Sequence, residues 1–297
     1  MLSTGPNGAG KSTTMKIISG LEACTWGQVR FSSSSKGVET LTASHQPTEF
    51  LAKSIGYCPQ HDALWPQVTA REHLTLYATL RGVLNVHAAV EESLTESAVE
   101  HPDLPVKGLS GGNKRRLMLA VATIGNPALL LLDEPTTGVD VSIRRSIWSH
   151  ITRLKRTCAV LLTSHSMEEV DALSDRVGIL VNGGLRCLGT GSRLKSAYGS
   201  GYTLTVKVRA AETAASVAAW FPSGHVVLRS SNGCTVVLDV VGGREGLKEV
   251  GNSLGVLKRI FDVLREHAGE VEDYGVSQPT LQQVFVDFAK KQREMRE

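Results

Sequence analysis

Hydrophobic positions along the chain follow two regimes that meet at Gly199-Ser200-Gly201. Before that point, short continuous apolar runs at 54–58, 129–132 and 158–163 read as strands buried on both faces, the pattern of a parallel sheet. Between them, apolar residues recur at helical spacing: Met15, Ile18 and Leu21; Leu74, Tyr77 and Leu80; Leu117, Ala120, Val121 and Ile124; Ile143, Ile147, Ile151 and Leu154. Thr69-Ala70-Arg71-Glu72 has the form of a capping box and opens the second of these helices. An acidic amphipathic continuation over 86–100 ends at Pro102 and Pro105, so 69–105 is expected to be a helical excursion. Residues 27–31 read as a short strand, and 176–181 with 185–188 as a hairpin joined by Asn182-Gly183-Gly184. The polar stretch from Ser32 to about Glu49 is expected to be a loop without chemistry.

After the glycines the period changes. Tyr202, Leu204, Val206 and Val208 alternate with polar residues, as in a strand buried on one face. A short helix (214–221), two strands (225–229 and 234–240), a helix striped by Leu247, Val250, Leu254, Leu257, Ile260 and Leu264, a strand at 271–274 and a last helix striped by Leu281, Val284, Phe285 and Phe288 follow. The order β-α-β-β-α-β predicts a small ferredoxin-like α+β domain over 199–297, after an α/β domain over 1–198. The second domain shows no catalytic set and reads as a regulatory or docking module, by structural analogy alone.

Composition changes this picture little. With 297 residues and 41% hydrophobic, the chain can bury the core of both domains. A net charge of +3 from 32 basic and 29 acidic residues gives no field for nucleic acid, and Lys290, Lys291, Arg293 and Arg296 read as a solvated helix end. Cys24, Cys58, Cys158, Cys187 and Cys234 form no C-x-x-C pair and are expected to be packing residues in a reducing compartment rather than zinc ligands. The longest apolar stretch, 117–132, is broken by Gly125-Asn126-Pro127, which predicts a helix and a strand rather than a membrane span. No signal peptide is recognisable.

The chemistry is concentrated at four loop positions. Gly5-Pro6-Asn7-Gly8-Ala9-Gly10-Lys11-Ser12-Thr13 meets the whole G-x-x-x-x-G-K-S pattern and is followed by an apolar helical stripe. Its glycines let backbone N–H groups turn inward on a triphosphate, Lys11 reaches the β- and γ-phosphates, and the Ser12 hydroxyl can ligate Mg²⁺. Leu129 to Leu132 runs into Asp133-Glu134; beside such a loop, Asp133 can hold Mg²⁺ and Glu134 can orient or deprotonate an attacking water, whereas alone the pair reads as a solvated turn. His165 at the end of the next strand falls on the same carboxyl edge, where ligands bind in such sheets, and is expected to meet the γ-phosphate. Ser110-Gly111-Gly112 opens a helix and reads either as an ordinary cap or as an anion site facing another surface. Only Met1 to Thr4 precede the loop, fewer residues than a core strand usually has, so the N-terminus is expected to be shortened.

The loop at 5–13, Gln60, the run Leu109-Ser110-Gly111-Gly112-Asn113, Asp133-Glu134, Asp140 and His165 stand in the order and context of an ABC-type ATPase nucleotide-binding domain, which the chain resembles over nearly its whole length. The stretches Gly56-Tyr57-Cys58-Pro59-Gln60, Arg71-Glu72-His73-Leu74, Gly111-Gly112-Asn113-Lys114-Arg115 and Ser164-His165-Ser166-Met167-Glu168-Glu169 are similar to the A subfamily, the lipid-exporter branch, and the tail resembles the regulatory domain of its second cassette. The resemblance implies a P-loop NTPase fold with a RecA-like core and helical subdomain, with ATP and Mg²⁺ as ligands. It makes 5–13 the Walker A loop, Gln60 the Q-loop glutamine and a metal neighbour, Ser110, Gly111 and Gly112 the signature, Asp133 the Walker B acid, Glu134 the catalytic glutamate, Asp140 the D-loop acid and His165 the switch histidine. It further implies a second nucleotide-binding domain and transmembrane domains as partners, no nucleic acid, and the cytosolic face of a membrane. Two other readings remain open at this level: a truncated fragment serving as an interaction module, and a soluble ABC ATPase acting on ribosomes or DNA. Three departures stand out: the adenine-stacking aromatic of the family would fall before Met1, Val141 stands where a proline is common, and Ser3-Thr4 replace an apolar pair.

Overall fold

The computed structural model describes residues 2–33, 37–42, 53–198, 202–221, 226–240, 253–277, 280–282 and 284–285. Two compact units divide the chain, Met1–Thr190 and Gly191–Glu297. The division falls eight residues before the glycine-rich stretch.

The first unit is built on a six-stranded sheet in the order β4-β5-β6-β1-β7-β8. Its strands are β1 (Leu2–Thr4), β4 (Ile55–Cys58), β5 (Leu129–Asp133), β6 (Ala159–Thr163), β7 (Val177–Val181) and β8 (Gly184–Gly189). All neighbouring pairs are parallel except β7 with β8, the edge hairpin. That hairpin turns on Asn182 and Gly183, both with positive φ (50° and 77°), the backbone an Asn-Gly pair adopts most easily. The apolar run of β5 follows from its position: Leu130, Leu131 and Leu132 are all fully buried between two faces of the sheet. Although only three residues long, β1 lies at the centre, with Leu2 paired to both Leu162 and Val177.

Helices α1 (Lys11–Ser19), α2 (Ala70–Leu80), α3 (Val86–Ser97), α4 (Gly111–Thr123), α5 (Val141–Leu154) and α6 (Met167–Leu173) complete the unit. Helix α1 ends at Ser19, with Gly20 as a left-handed C-cap, so Leu21 lies outside the helix and is 64% exposed rather than part of its buried stripe. The capping box on α2 is formed: Thr69 accepts from the Glu72 N–H while the Glu72 carboxylate accepts from the Thr69 N–H. Leu74, Ala78, Val90, Leu94, Leu109, Leu117, Ala120 and Ile124 join α2, α3 and α4 in one buried cluster, the helical subdomain. Part of the expected polar loop is ordered instead: β2 (Gln28–Ser33) pairs antiparallel with β3 (Gly37–Thr42), Val29 opposite Leu41 and Phe31 opposite Glu39. The remainder of that loop lies outside the described residues.

In the second unit, α7 (Gly191–Tyr198) leads to a four-stranded antiparallel sheet, order β10-β11-β9-β12, of β9 (Tyr202–Val208), β10 (Val226–Asn232), β11 (Thr235–Val240) and β12 (Val271–Ser277). The short α8 (Ala211–Ala214) and α9 (Ser253–Glu266) make the two crossovers. Leu204, Val206, Val208, Val236 and Leu238, fully buried, meet Ile260 and Leu264 of α9, so the alternation of β9 records one face against helices and one outward. Leu247 and Val250 of the longer predicted helix, and Phe288 of the last one, lie outside the described residues. Burial pushes the Cys58 thiol up to about 11, which keeps it protonated and inert, as a packing residue should be. Cys24, Cys158 and Cys234 are only partly covered. Among the described residues, no helix is long and apolar enough to cross a membrane.

Candidate nucleotide site

Four loops leave the carboxyl edge of the parallel strands side by side: 5–10 after β1, 59–64 after β4, 134–140 after β5 and 164–166 after β6. This edge is where open α/β sheets bind ligands, because the loops and the helix N-termini behind them converge there. The order of strands therefore gathers the predicted residues of three motifs around the loop at 5–13.

The loop itself is fixed by close approach and by turn geometry. A Cβ on Gly5 would lie 2.4 Å from the Leu180 carbonyl oxygen, so no other residue lets β1 pass β7 there. Gly10 caps α1 with φ 94°, a left-handed backbone that exposes the first N–H groups of the helix. The hairpin braces the loop from the side, Gly183 N–H donating to the Ala9 carbonyl at 3.0 Å. Lys11 is buried, its Nζ donating to the carbonyl oxygens of Gly5 (2.8 Å) and Pro6 (3.2 Å). Burial lowers its pKa, and the negative charges of Glu134 and Asp133 pull it back up. Those two carboxylates thus act on Lys11 electrostatically across the loop edge. Thr4, one of the polar residues in place of an apolar pair, is buried because its hydroxyl donates to the Ser164 carbonyl at 3.0 Å, tying β1 to the residue before His165.

Asp133 is buried at the strand end and accepts from the Thr163 hydroxyl at 2.5 Å. Glu134 is likewise buried and stands in the left-handed region, φ 49°, rare for a residue with a Cβ. Both of its carboxylate oxygens are occupied: Oε1 lies 2.5 Å from His165 Nε2, while Oε2 accepts from Gln60 Nε2 at 2.9 Å and from the Thr137 hydroxyl at 3.1 Å. Gln60 and His165 therefore meet at the two oxygens of one carboxylate, that of Glu134. Ser110, the N-cap of α4, accepts from the Asn113 N–H at 3.3 Å and is exposed with Gly111, while Gly112 is buried. Asp140, exposed, is the N-cap residue of α5 without a side-chain capping bond. Among the described residues, no hydrogen bond or ion pair joins Ser110, Gly111, Gly112 or Asp140 to residues 5–13.

Two buried polar residues, named above only within family-like stretches and given no role there, carry this arrangement. Arg115, 5% exposed, directs all five of its N–H groups to backbone carbonyls: Nε to Pro135 (2.6 Å), Nη1 to Pro59 (2.9 Å) and Gln60 (3.2 Å), Nη2 to Asp133 (3.1 Å) and Glu134 (2.6 Å). Glu169, 1% exposed, accepts from the Thr136 hydroxyl and from Trp148 Nε1, both at 2.9 Å, and so joins α6 to the turn after Glu134 and to α5.

A phosphate loop, two strand-end acids, a glutamine and a histidine on one parallel sheet edge define a P-loop nucleotide-binding cassette. Residues 2–137 match the family described as ABC transporter. The chain is 40% identical over 294 residues to human "ATP-binding cassette sub-family A member 2", covering 97% of this chain and 11% of that protein. It is also 40% identical over 297 residues to human "Phospholipid-transporting ATPase ABCA7", covering 97% of this chain and 13% of that one. Among solved structures, a dimeric ATP-binding cassette in a post-hydrolysis state bound to ADP and Pi has the same fold, with a TM-score of 0.55 at 24% identity over 64% of this chain and 84% of the other. An ATP-binding subunit of an ABC transporter aligns with a TM-score of 0.55 at 26% identity, over 67% of this chain and 82% of its own. Residues 2–137 thus match the ABC transporter family, and over 97% of its length the chain is similar to members of the A subfamily. It spans only about a tenth of the length of these curated relatives.

Proposed function

We propose that the chain is the ATP-binding and ATP-hydrolysing cassette of an ABC transporter that moves lipid across a membrane. The observation that carries this reading is the Glu134 carboxylate, bracketed by Gln60 and His165 beside the buried Lys11. In this reading, water attacks the γ-phosphorus, the bond to the β,γ-bridging oxygen breaks, ADP leaves, and Glu134 orients the water and takes its proton. Lys11 and the N–H groups at the start of α1 offset charge on the phosphates, and His165, beside Glu134, contacts the γ-phosphate once nucleotide is bound. The donor set of Ser12 hydroxyl, Asp133 carboxylate and Gln60 amide oxygen consists of hard oxygen ligands that fit Mg²⁺. Bound there, Mg²⁺ would neutralise phosphate charge.

Ser110, Gly111, Gly112 and Asp140, set apart from the loop at 5–13, are assigned to the nucleotide of a second cassette, which makes a partner nucleotide-binding domain part of the site. Transmembrane domains are the other partners, the location is the cytosolic face of a membrane, and the unit after residue 190 is a ferredoxin-like regulatory domain. Lipid as cargo rests on the relatives named above. The test is a reconstituted transporter containing this cassette with Glu134→Gln: ATP turnover should drop about 100-fold or more while ATP binding persists. Turnover at the parental rate would overturn the assignment.

A further inference from the structure

We infer that Arg115 is a positioning residue for ATP hydrolysis, clamping the Gln60 loop and the Glu134 turn to the helix that begins at the signature glycines. Five donors meeting five carbonyls leave the guanidinium no freedom to rotate, and the five acceptors come from two separate segments, 59–60 and 133–135. These segments leave neighbouring strands, β4 and β5, and nothing in strand pairing beyond Cys58 opposite Leu132 fixes their mutual register. Arg115 supplies that register. It does so from the first turns of α4, three residues past Gly112, so Gln60, Glu134 and the signature helix are held as one body.

The clamp also accounts for the backbone of Glu134. A φ of 49° is unfavourable for glutamate, and it turns the carbonyl toward Arg115 Nη2 at 2.6 Å while the N–H donates to Thr163 and the carboxylate points to Gln60 and His165. Without the guanidinium, buried carbonyls lose their donors and Glu134 loses the contact that favours this conformation. A lysine keeps the charge but offers three donors from one nitrogen and cannot span both segments.

The inference rests on the ATPase reading for its kinetic part, and not for its structural part. The structural test is amide hydrogen exchange on the 297-residue chain with Arg115→Met and Arg115→Lys. Exchange at 60–62 and 134–137 should accelerate at least 10-fold in both variants, with 117–123 of α4 within 3-fold of the parent. Should the Met variant not fold, the Lys variant alone decides. Parental exchange at both loops, or equal acceleration along α4, overturns the clamp. The kinetic test uses a reconstituted transporter containing the cassette: Arg115→Lys should lower kcat at least 30-fold with KM for ATP within 3-fold. A matched loss in KM overturns the positioning role. Unchanged turnover in Glu134→Gln instead overturns the ATPase reading and leaves the exchange result to judge the clamp.

Discussion

His165 Nε2 lies 2.5 Å from Glu134 Oε1, so the imidazole sits against the carboxylate whose other oxygen accepts from Gln60 and Thr137. Two donors hold Oε2 and the imidazole lies against Oε1, so groups from three loops confine the carboxylate at the sheet edge. Removing the imidazole should leave the phosphate-binding loop intact while releasing one oxygen of Glu134. His165→Ala is therefore expected to lower ATP turnover about 100-fold with nucleotide affinity changed no more than about 3-fold, read by steady-state turnover beside titration with a fluorescent ATP analogue. An equal loss in both would place His165 in binding alone.

Lys11 presents the opposite case, a charge whose burial disfavours it and whose partners are neutral carbonyls and more distant acids. Replacing it with methionine removes both a desolvated charge and two hydrogen bonds, effects of opposite sign. Lys11→Met is expected to unfold within about 2 kcal/mol of the parent, yet to lose the ATP-induced rise in Tm. The same thermal scans with and without Mg-ATP give both answers, and a retained shift would show that phosphate binding does not need this ammonium.

Two glycines separate cost by what lies in the way. A Cβ on Gly56 would sit 2.1 Å from the Ala122 carbonyl oxygen, with Leu130 Cδ1 and Pro127 Cγ both at 3.0 Å, and a backbone atom cannot step aside. On Gly112 it would meet Ile143 Cδ1 at 2.2 Å, the movable tip of a side chain. Gly56→Ala is expected to destabilise by about 3 kcal/mol or more, and Gly112→Ala by roughly 1 kcal/mol, since alanine also favours the helix. Urea unfolding of the two variants would contradict this by giving the reverse order.

How far the sequence revealed this site depends on how each residue is constrained. The loop at 5–12 and Asp133-Glu134 are legible because phosphate binding and metal binding demand particular residue types at fixed spacing. The sheet that gathers them is legible from fully apolar runs such as Leu129 to Leu132, which only a strand covered on both faces needs. Arg115 was hidden because it stands between Lys114 and Arg116, and three adjacent basic residues do not show which one turns inward. Its signal was a second apolar face on the same helix, Met118, Leu119 and Ala122, all buried alongside the stripe at Leu117 and Ala120 and sharing a side with Arg115. The hairpin strand β3 was hidden because Val38, Thr40 and Thr42 alternate within a polar stretch, where β-branching rather than hydrophobicity carries the signal. The φ of Glu134 has no sequence signature, since tertiary contacts impose it.

His150 gives the fold a pH dependence with a definite sign. It is 6% exposed on α5, its Nε2 has no hydrogen-bond partner among the described residues, and burial first and Arg153 second push its pKa from 6.5 down to about 4. The folded chain thus keeps the ring neutral while the unfolded chain takes up a proton as the pH falls through 6.5. Between there and pH 4 the unfolded state binds more protons, so this group removes stability as the solution is acidified and contributes nothing above neutral pH. At about 1.4 kcal/mol for each pKa unit, the effect reaches roughly 1–3 kcal/mol. Carboxylates titrate over the same range, so the informative quantity is the difference between the parent and His150→Leu, which lacks the titrating ring. Urea unfolding from pH 7.5 to 4.5 should show the two stability curves separating as pH falls, the parent losing more by about 1–3 kcal/mol. Parallel curves would mean that the buried ring accepts its proton without opening the fold.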